Sequence, residues 1–237
     1  MRIRLDKYIA SMGYASRSEV KELARAGRIQ GNGTVAKKSD IKLSTDTDEV
    51  LLDGAPIVYQ EFQYFMLNKP AGVVSARSDA FDKTVVDLIE GFHRADLFPV
   101  GRLDKDTVGL LLITNDGQLA HRLLAPNKHV DKQYFVRLEL PVDETDAQAF
   151  AQGIDIGDDT LTLPAVLRLV PEDEHCAYVT LHEGRFHQVK RMFEARGNSV
   201  VYLKRVSMGS LVLDETLQEG QSRPLTTEEL ALLMQRF

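Results

Sequence analysis

The 237-residue sequence has no tryptophan, a single cysteine and no long apolar run. The lone thiol, Cys176, excludes an intrachain disulfide and is typical of proteins from a reducing compartment. The longest apolar stretches, such as GLLLI and FVRLEL, are far shorter than the roughly 20 residues that span a bilayer. The charged N-terminus also lacks the apolar core of a signal peptide. These absences predict a globular cytoplasmic protein with no membrane partner.

Signatures of several catalytic sites are missing as well. The sequence contains no H-E-x-x-H motif and no cysteine cluster, and its six histidines are scattered, so we expect no metal site. It has no G-x-S-x-G turn for a serine nucleophile and no glycine-rich phosphate loop. A metallohydrolase, a serine hydrolase and a dinucleotide-binding fold are therefore disfavoured.

Charge, in contrast, is abundant and unevenly distributed. The net charge is −6, yet residues 1–42 contain ten Lys/Arg against four Asp/Glu, a local charge of +6. The remaining residues therefore carry a net charge of −12. A basic segment ahead of an acidic body suggests a module that docks on a polyanion, although chance clustering explains the charge equally well.

Two helices are predicted in this basic segment. Leu5, Ile9 and Met12 lie at helical spacing, and Ser16 with Glu19 has the pattern of a capping box that starts a second helix. On the second helix a basic stripe falls within an arc of about 80°, away from Val20 and Leu23. The stripe suits phosphate binding and is expected to be free of salt bridges; a merely solvated surface is the alternative. Its members are Arg17, Lys21, Arg25 and Arg28.

A small hairpin should follow the helices, because IQGNGTVAKK has an Asn-Gly turn between short strand patterns. Two helices followed by such a hairpin resemble the alpha-L RNA-binding module of ribosomal and RNA-modifying proteins, over about residues 2–55. We therefore expect an RNA-binding domain at 1–58 and a second domain at 62–237.

Residues 62–237 mix hairpins with inserted helices, which predicts an α+β domain with a mixed, mostly antiparallel sheet flanked by helices. The expected strands are YFMLNK, TVGLLLITN, KQYFVRLEL, the hairpin AVLRLV–CAYVTLH, and VVYLKRVSMGSLVL. The expected helices are TVVDLIEGF, DGQLAHRLLAP (capped by Asn115 or Asp116 and ended by Pro126), DETDAQAFAQG, GRFHQVKRMFEARGN, and TTEELALLMQRF with a Thr226–Glu229 capping box.

The clearest candidates for chemistry are an aspartate in a mixed-charge turn and a lysine on a later helix. Asp104 precedes a strand that reads as buried, and Lys190 lies about 60° from Phe193, at the border of an apolar face. A lysine at such a border needs a partner, and a facing carboxylate would have a lowered pKa. Two other interpretations remain open on these residues alone: an ordinary turn with a surface lysine, or a hydrolytic pair formed by Asp104 and Asp106.

Three motifs in order, LNKPAG, GRLDKDTVGLLLITNDG and EGRFHQVKRMF, resemble those of pseudouridine synthases of the ribosomal small-subunit type, over roughly residues 62–230. The resemblance implies that Asp104 is the essential aspartate and Lys190 its basic partner, with Arg191 as the fallback candidate for that partner and grouped with the substrate-binding residues. Tyr134 would stack beneath the target uracil and is also a candidate acceptor of the carbon-5 proton. Arg102 would hold the base out of the RNA stack, and Lys69 is grouped with the substrate-binding residues on a supporting turn.

The activity implied is isomerisation of one uridine to pseudouridine, which gains no atom and needs no redox chemistry, so no cofactor is expected. Whether Asp104 attacks the sugar or removes a proton is left open. The resemblance favours 16S ribosomal RNA as partner, within a partly assembled subunit or free, and a monomeric enzyme. A 23S enzyme and a non-catalytic RNA-binding or assembly factor are the alternatives. Binding through residues 17–28 and 185–205 should weaken steeply with salt.

Overall fold

The computed structural model describes residues 1–89, 96–125 and 128–235. The chain divides into two compact units. One consists of Met1–Gln63 with the described ends of Ile89–Leu97, and the other of Tyr64–Leu88 and Phe98–Phe237. The expected junction at 58–62 lies just before the division at Gln63.

The N-terminal unit packs two helices against two small antiparallel sheets around its own apolar core. Strands β1 and β4 form one sheet, and the other has the order β3-β2-β5-β6. Asn32 and Gly33, both at positive φ, form the turn between β2 and β3 that the Asn-Gly pair predicts. The elements are β1 Arg2–Arg4, α1 Leu5–Ser11, α2 Arg17–Arg25, β2 Ile29–Gly31, β3 Thr34–Val35, β4 Lys42–Ser44, β5 Val50–Leu52 and β6 Ala55–Pro56.

The predicted capping box at the start of α2 is confirmed. The Glu19 N–H donates to Ser16 Oγ at 3.2 Å, and the Ser16 N–H donates to Glu19 Oε2 at 2.7 Å. These bonds satisfy backbone donors that the first turn of a helix leaves unpaired. Val20 and Ala24 then anchor the buried face of the helix in the core.

The basic stripe differs from the prediction in two respects. Helix α2 ends at Arg25, so Arg28 lies beyond it, and the expectation of a stripe without salt bridges is wrong for both residues. Arg25 pairs with Glu22 at 2.7 Å, one helical turn away, and Arg28 pairs with Asp53 at 2.5 Å. The second pair forms because antiparallel pairing of β2 with β5 brings Asp53 beside Arg28.

The second unit is built on a large twisted sheet with helices. The main strand order is β11-β12-β10-β13-β9-β7-β15, with β14 added to β13 and β8 to β9. All described pairs in this sheet are antiparallel except β9 with β13, which confirms the predicted α+β class. The elements are β7 Tyr64–Lys69, a 3₁₀ turn Val86–Leu88, β8 Phe98–Pro99, β9 Val108–Thr114, α3 Gly117–Leu124, β10 Lys132–Leu138, α4 Glu144–Gln152, β11 Val166–Leu169, β12 Cys176–Leu181, α5 Gln188–Glu194, β13 Val200–Met208, β14 Leu211–Val212, β15 Ser222–Pro224 and α6 Thr227–Gln235.

Strand β9 is the centre of this sheet and is buried along its whole length. It runs antiparallel to β7 on one side and parallel to β13 on the other. Gly109 permits the close approach to β13, because a Cβ at this position would lie 2.3 Å from the Arg205 carbonyl oxygen. The loop that precedes β9 is therefore attached to a rigid strand.

Helix ends follow the sequence signals in most cases. Asp116 caps α3 by accepting the N–H groups of Gln118 and Leu119 at 3.0 Å, and Thr226 with Glu229 caps α6. Helix α5 is shorter than predicted: it begins at Gln188 rather than Gly184, since His187 adopts a left-handed conformation with φ of 49°.

Pro126 and the end of TVVDLIEGF lie outside the described residues. None of the helices in the described ranges is both long and apolar enough to cross a membrane.

Candidate active site

Asp104 lies in a turn immediately before β9, and backbone hydrogen bonds fix the turn. The Thr107 N–H donates to the Asp104 carbonyl at 3.1 Å, and the Gly72 N–H donates to the Lys105 carbonyl at 2.7 Å. Ser75 Oγ accepts from the Leu103 N–H at 3.0 Å. The turn therefore holds Asp104 against a rigid support, as a reacting group requires.

Lys69, at the end of β7, forms the underside of this turn. Its side chain is fully buried, and Nζ donates to the carbonyls of Pro70, Lys105 and Thr107 at 3.0, 3.3 and 2.9 Å. Burial lowers the pKa of Lys69 to about 8, and the nearby Asp106 and Asp104 oppose that shift. The assignment of Lys69 to substrate binding is therefore corrected: its ammonium is spent on three backbone carbonyls and supports the turn instead.

The remaining charges of the turn have separate partners. Lys105 is exposed, pairs with Asp82 at 2.8 Å, and contributes to the lining of the cleft described below. Lys190 Nζ donates to both Asp106 oxygens at 2.6 and 2.8 Å and lies 3.5 Å from Asp104 Oδ2. The hydrogen bonds from Lys190, opposed by burial, lower the pKa of Asp106. Lys190 thus contacts Asp104, as expected, but its shorter hydrogen bonds go to Asp106.

Asp104 lines a cleft of about 770 Å³. A smaller recess of about 80 Å³ shares several lining residues with this cleft. Asp104, Arg102 and Tyr134 line both spaces. Tyr134 comes from the buried part of β10, and Arg102 is exposed at the turn. Three of the predicted residues therefore meet at one cavity.

Arg191 is not placed to substitute for Lys190. Its guanidinium donates to Asp158 Oδ1 at 2.6 Å and to the Phe186 and Ile156 carbonyls. Among the described residues it forms its ion pair with Asp158 and none with Asp104, whereas Lys190 Nζ lies 3.5 Å from Asp104 Oδ2. The predicted role of Arg191 is therefore corrected to that of a structural residue that joins α5 to the segment around Asp158.

Sequence reasoning missed His187. Its Nε2 atom lies 3.5 Å from Asp104 Oδ1, so Asp104 has contacts with both His187 and Lys190. The His187 ring stacks on the exposed Phe186 ring, with centroids 3.8 Å apart. The only available signal was its place in the motif EGRFHQVKRMF, and the helix predicted for that segment did not single it out.

The hydrolytic pair of Asp104 and Asp106 finds little support in this geometry. The Asp106 side chain is 72% exposed and engaged by Lys190, whereas the Asp104 side chain is 27% exposed and lines the cleft. Two carboxylates that act as acid and base must face the same substrate. Across residues 1–89, 96–125 and 128–235, no group of three or more potential ligands is placed to hold a metal ion.

Comparison with known proteins adds independent information. The profile of the RNA pseudouridylate synthase family matches residues 63–195, and that of the S4 domain matches residues 3–50. The chain is 48% identical over 234 residues to the uncharacterized RNA pseudouridine synthase YtzG of Bacillus subtilis, covering 98% of each protein. It is 42% identical over 231 residues to the ribosomal small subunit pseudouridine synthase A of Escherichia coli K12, covering 97% of this chain and 99% of that protein.

A solved structure agrees with these matches. The crystal structure of a pseudouridylate synthase, 41% identical in sequence, covers 98% of this chain and 99% of its own, with a TM-score of 0.69. The predicted family resemblance is confirmed, and the S4 match coincides with the segment predicted to be an alpha-L module. The chain therefore belongs to the RNA pseudouridine synthase family of isomerases and has an S4 domain ahead of its synthase domain.

Proposed function

We propose that the protein isomerises one uridine of 16S ribosomal RNA and that Asp104 is its essential catalytic group. The observation that carries the proposal is the position of Asp104: its carboxylate lines a cleft with Tyr134 and Arg102 and lies 3.5 Å from both Lys190 and His187. The small-subunit target is supported by relatives of similar length from Escherichia coli and Vibrio cholerae that are named ribosomal small subunit pseudouridine synthase A.

The reaction breaks the bond between uracil N1 and ribose C1′, and the electron pair leaves with the uracil. Asp104 assists either by attacking C1′ or by removing the proton from C2′. The uracil anion turns and C5 forms a bond to C1′; in the attack route the bond from C1′ to Asp104 breaks in the same step, and in the other route the C2′ proton returns. The proton on C5 then leaves to a base, and N1 takes up a proton. The product has the same atoms as the substrate.

Access to Asp104 requires the target nucleotide to leave its stack. Unstacking costs about a few kcal/mol, which contacts within the enzyme must offset. Tyr134 offers an aromatic face in the cleft, and the exposed Arg102 lies at the same cavity, where it makes no hydrogen bond or ion pair with another described residue. These two side chains suit the roles of stacking beneath the uracil and holding the base out of the RNA.

The test compares Asp104→Asn with the matched variant Asp106→Asn. We expect Asp104→Asn to bind 16S RNA normally but to form pseudouridine about a thousandfold more slowly, because the carboxylate charge is lost. Asp106→Asn should lose no more than about tenfold, since the Asp106 carboxylate acts only through Lys190. Equal losses in the two variants would instead favour a two-carboxylate mechanism, and an active Asp104→Asn would remove Asp104 from its role.

The target RNA is tested by mapping pseudouridine in 16S and 23S RNA from cells that lack the protein. One uridine of 16S RNA should remain unmodified, and wild-type protein, but not Asp104→Asn, should restore its modification. Loss of a 23S site instead would contradict the small-subunit target. Unchanged maps of both RNAs would contradict a role in ribosomal RNA.

A further inference from the structure

A buried arginine in the cleft has no place in the mechanism above. Arg205, on β13, is 2% exposed, and its Nε donates to the Leu110 carbonyl at 2.7 Å. Its Nη2 atom is buried without a hydrogen-bond partner among the described residues, and no described carboxylate forms a salt bridge with it. Arginine keeps its charge in proteins, and burying a charge without a partner destabilises the fold.

The position of Arg205 is set by its strand neighbours. In the register of β10 with β13, Arg205 lies opposite Tyr134, so the two side chains share one face of the sheet. Leu203, two residues earlier on the same strand, lines the recess at Asp104. Arg205 itself lines the cleft together with Asp104 and Tyr134.

The backbone around Arg205 is tied to the Asp104 turn. Strand β13 runs parallel to β9 at Val108 and Gly109, directly after the turn, and the absence of a Cβ at Gly109 lets the Arg205 backbone approach closely. A second buried polar atom without a partner among the described residues, Thr107 Oγ1, belongs to a residue that lines the recess. The cleft and the adjoining recess are thus each lined by a residue with an unused hydrogen-bonding atom, and Asp104 lines both spaces, which favours a ligand with acceptor oxygens.

We propose that Arg205 stabilises the negative charge that the uracil carries between cleavage of its bond to C1′ and formation of the new bond from C5. This inference rests on the proposed function and adds a residue to it. When the N1–C1′ bond breaks, both electrons stay on the uracil, and the charge spreads to its two carbonyl oxygens. A fixed cation in a cleft that excludes water stabilises such charge strongly and needs no reorganisation during the reaction. The negative charge on the uracil disappears when C5 bonds to C1′. Arg205 therefore neither gains nor loses a proton during the reaction.

The first experiment compares Arg205→Met with Arg205→Lys and with the control Arg168→Met, a surface arginine of the same sheet that stacks on Tyr178. We expect Arg205→Met to lower kcat about a hundredfold, as removal of one charge-stabilising donor does in other enzymes, with KM and RNA affinity unchanged. Arg205→Lys should retain part of the rate, and Arg168→Met all of it.

Stability separates this role from a structural one. Arg205→Met loses one hydrogen bond to the Leu110 carbonyl but also removes a buried charge that has no salt bridge with a described residue, so its Tm should be equal to or above that of the wild type. If Arg205 only held the sheet together, Arg205→Met would have a lower Tm, and its loss of activity would be accompanied by weaker RNA binding. That result would overturn the proposal.

The second experiment changes the leaving group. In RNA that contains 5-fluorouridine, fluorine withdraws electrons and makes the uracil anion easier to form. Nucleosides that carry the new C5–C1′ bond are scored by mass spectrometry, because this bond resists loss of the base. The deficit of Arg205→Met should be several-fold smaller on 5-fluorouridine than on uridine, and an equal deficit would contradict the proposal. If the wild type forms no pseudouridine in ribosomal RNA, the proposed function fails; if it does and Arg205→Met is as active, only the role of Arg205 fails.

Discussion

The cations of the two units differ in what surrounds them. In the N-terminal unit, Arg17 and Lys21 are exposed and form no salt bridge with a described residue. In the synthase unit, Lys69 and Arg205 are fully buried, the first on three carbonyls and the second beside the cleft. Water screens an exposed charge, which then attracts any polyanion weakly, whereas a buried charge acts strongly on the few groups near it. We therefore propose RNA docking for the exposed cations and control of the reaction site for the buried ones.

Replacement of a buried cation should have the largest effect. Lys69→Met keeps the length of the side chain but leaves three buried carbonyls without their donor. We expect the free energy of unfolding to fall by about 3 kcal/mol, roughly 1 kcal/mol for each lost bond. The displaced turn should lower kcat about a hundredfold, since a shift of about 1 Å can have that effect. Urea unfolding and single-turnover assays measure the two changes.

The matched control for Lys69→Met is Lys105→Met, which removes an exposed lysine of the same turn. Lys105 pairs only with Asp82 among the described residues, at the surface, so both measured changes should be small. If Lys105→Met is as harmful as Lys69→Met, burial is not what distinguishes these cations.

A smaller effect is expected at Lys190, whose side chain is 18% exposed. Lys190→Met removes a cation 3.5 Å from Asp104 Oδ2 and the hydrogen bonds to Asp106. A partly screened interaction at this distance is worth on the order of 1–2 kcal/mol, so kcat should fall about tenfold. The double variant Lys190→Met/Asp106→Asn should be no slower than Lys190→Met; a further loss would mean that Asp106 acts independently.

Exposed cations can be compared within the N-terminal unit. Arg17→Gln/Lys21→Gln should weaken RNA binding and reduce the slope of log affinity against log salt by about 1.5, if each residue contacts one phosphate. Arg25→Gln/Arg28→Gln should change the slope less, because those charges are already paired with Glu22 and Asp53. Equal changes in filter-binding titrations would show that these surface pairs do not compete with RNA.

The smallest effect concerns pH. Burial lowers the pKa of Lys69 from 10.5 to about 8, so between these values the unfolded chain binds the Lys69 proton more tightly than the folded chain does. The contribution of Lys69 to the free energy of unfolding therefore rises with pH across this range and is constant below it. A neutral amine has only two N–H groups for the three carbonyls, so activity should fall about threefold between pH 7 and 9. In Lys69→Met this step should be absent.

Local signals predicted the framework of both units. These signals depend on residues within a few positions of each other. They are the capping boxes at Ser16 and Thr226, the Asn-Gly turn, and the apolar run of the buried strand Val108–Thr114. The prediction was wrong at the start of α5, where the left-handed His187 overrides a continuous helical pattern. Periodicity is unchanged by one such residue, so the sequence carried no sign of the break.

The sequence by itself determined most segments that become helices and strands, because periodicity, caps and turns act over short distances. Its motifs, through their resemblance to a family, made Asp104 the candidate for the central carboxylate. Only the tertiary structure decided which partners each charge acquired: Lys69 on three carbonyls, Lys190 on Asp106 and Arg205 opposite Tyr134. Apart from the Pro70 carbonyl, which is adjacent to Lys69, those partners come from distant parts of the chain. Burial and strand register set what each charge can do, and a local pattern contains neither of them.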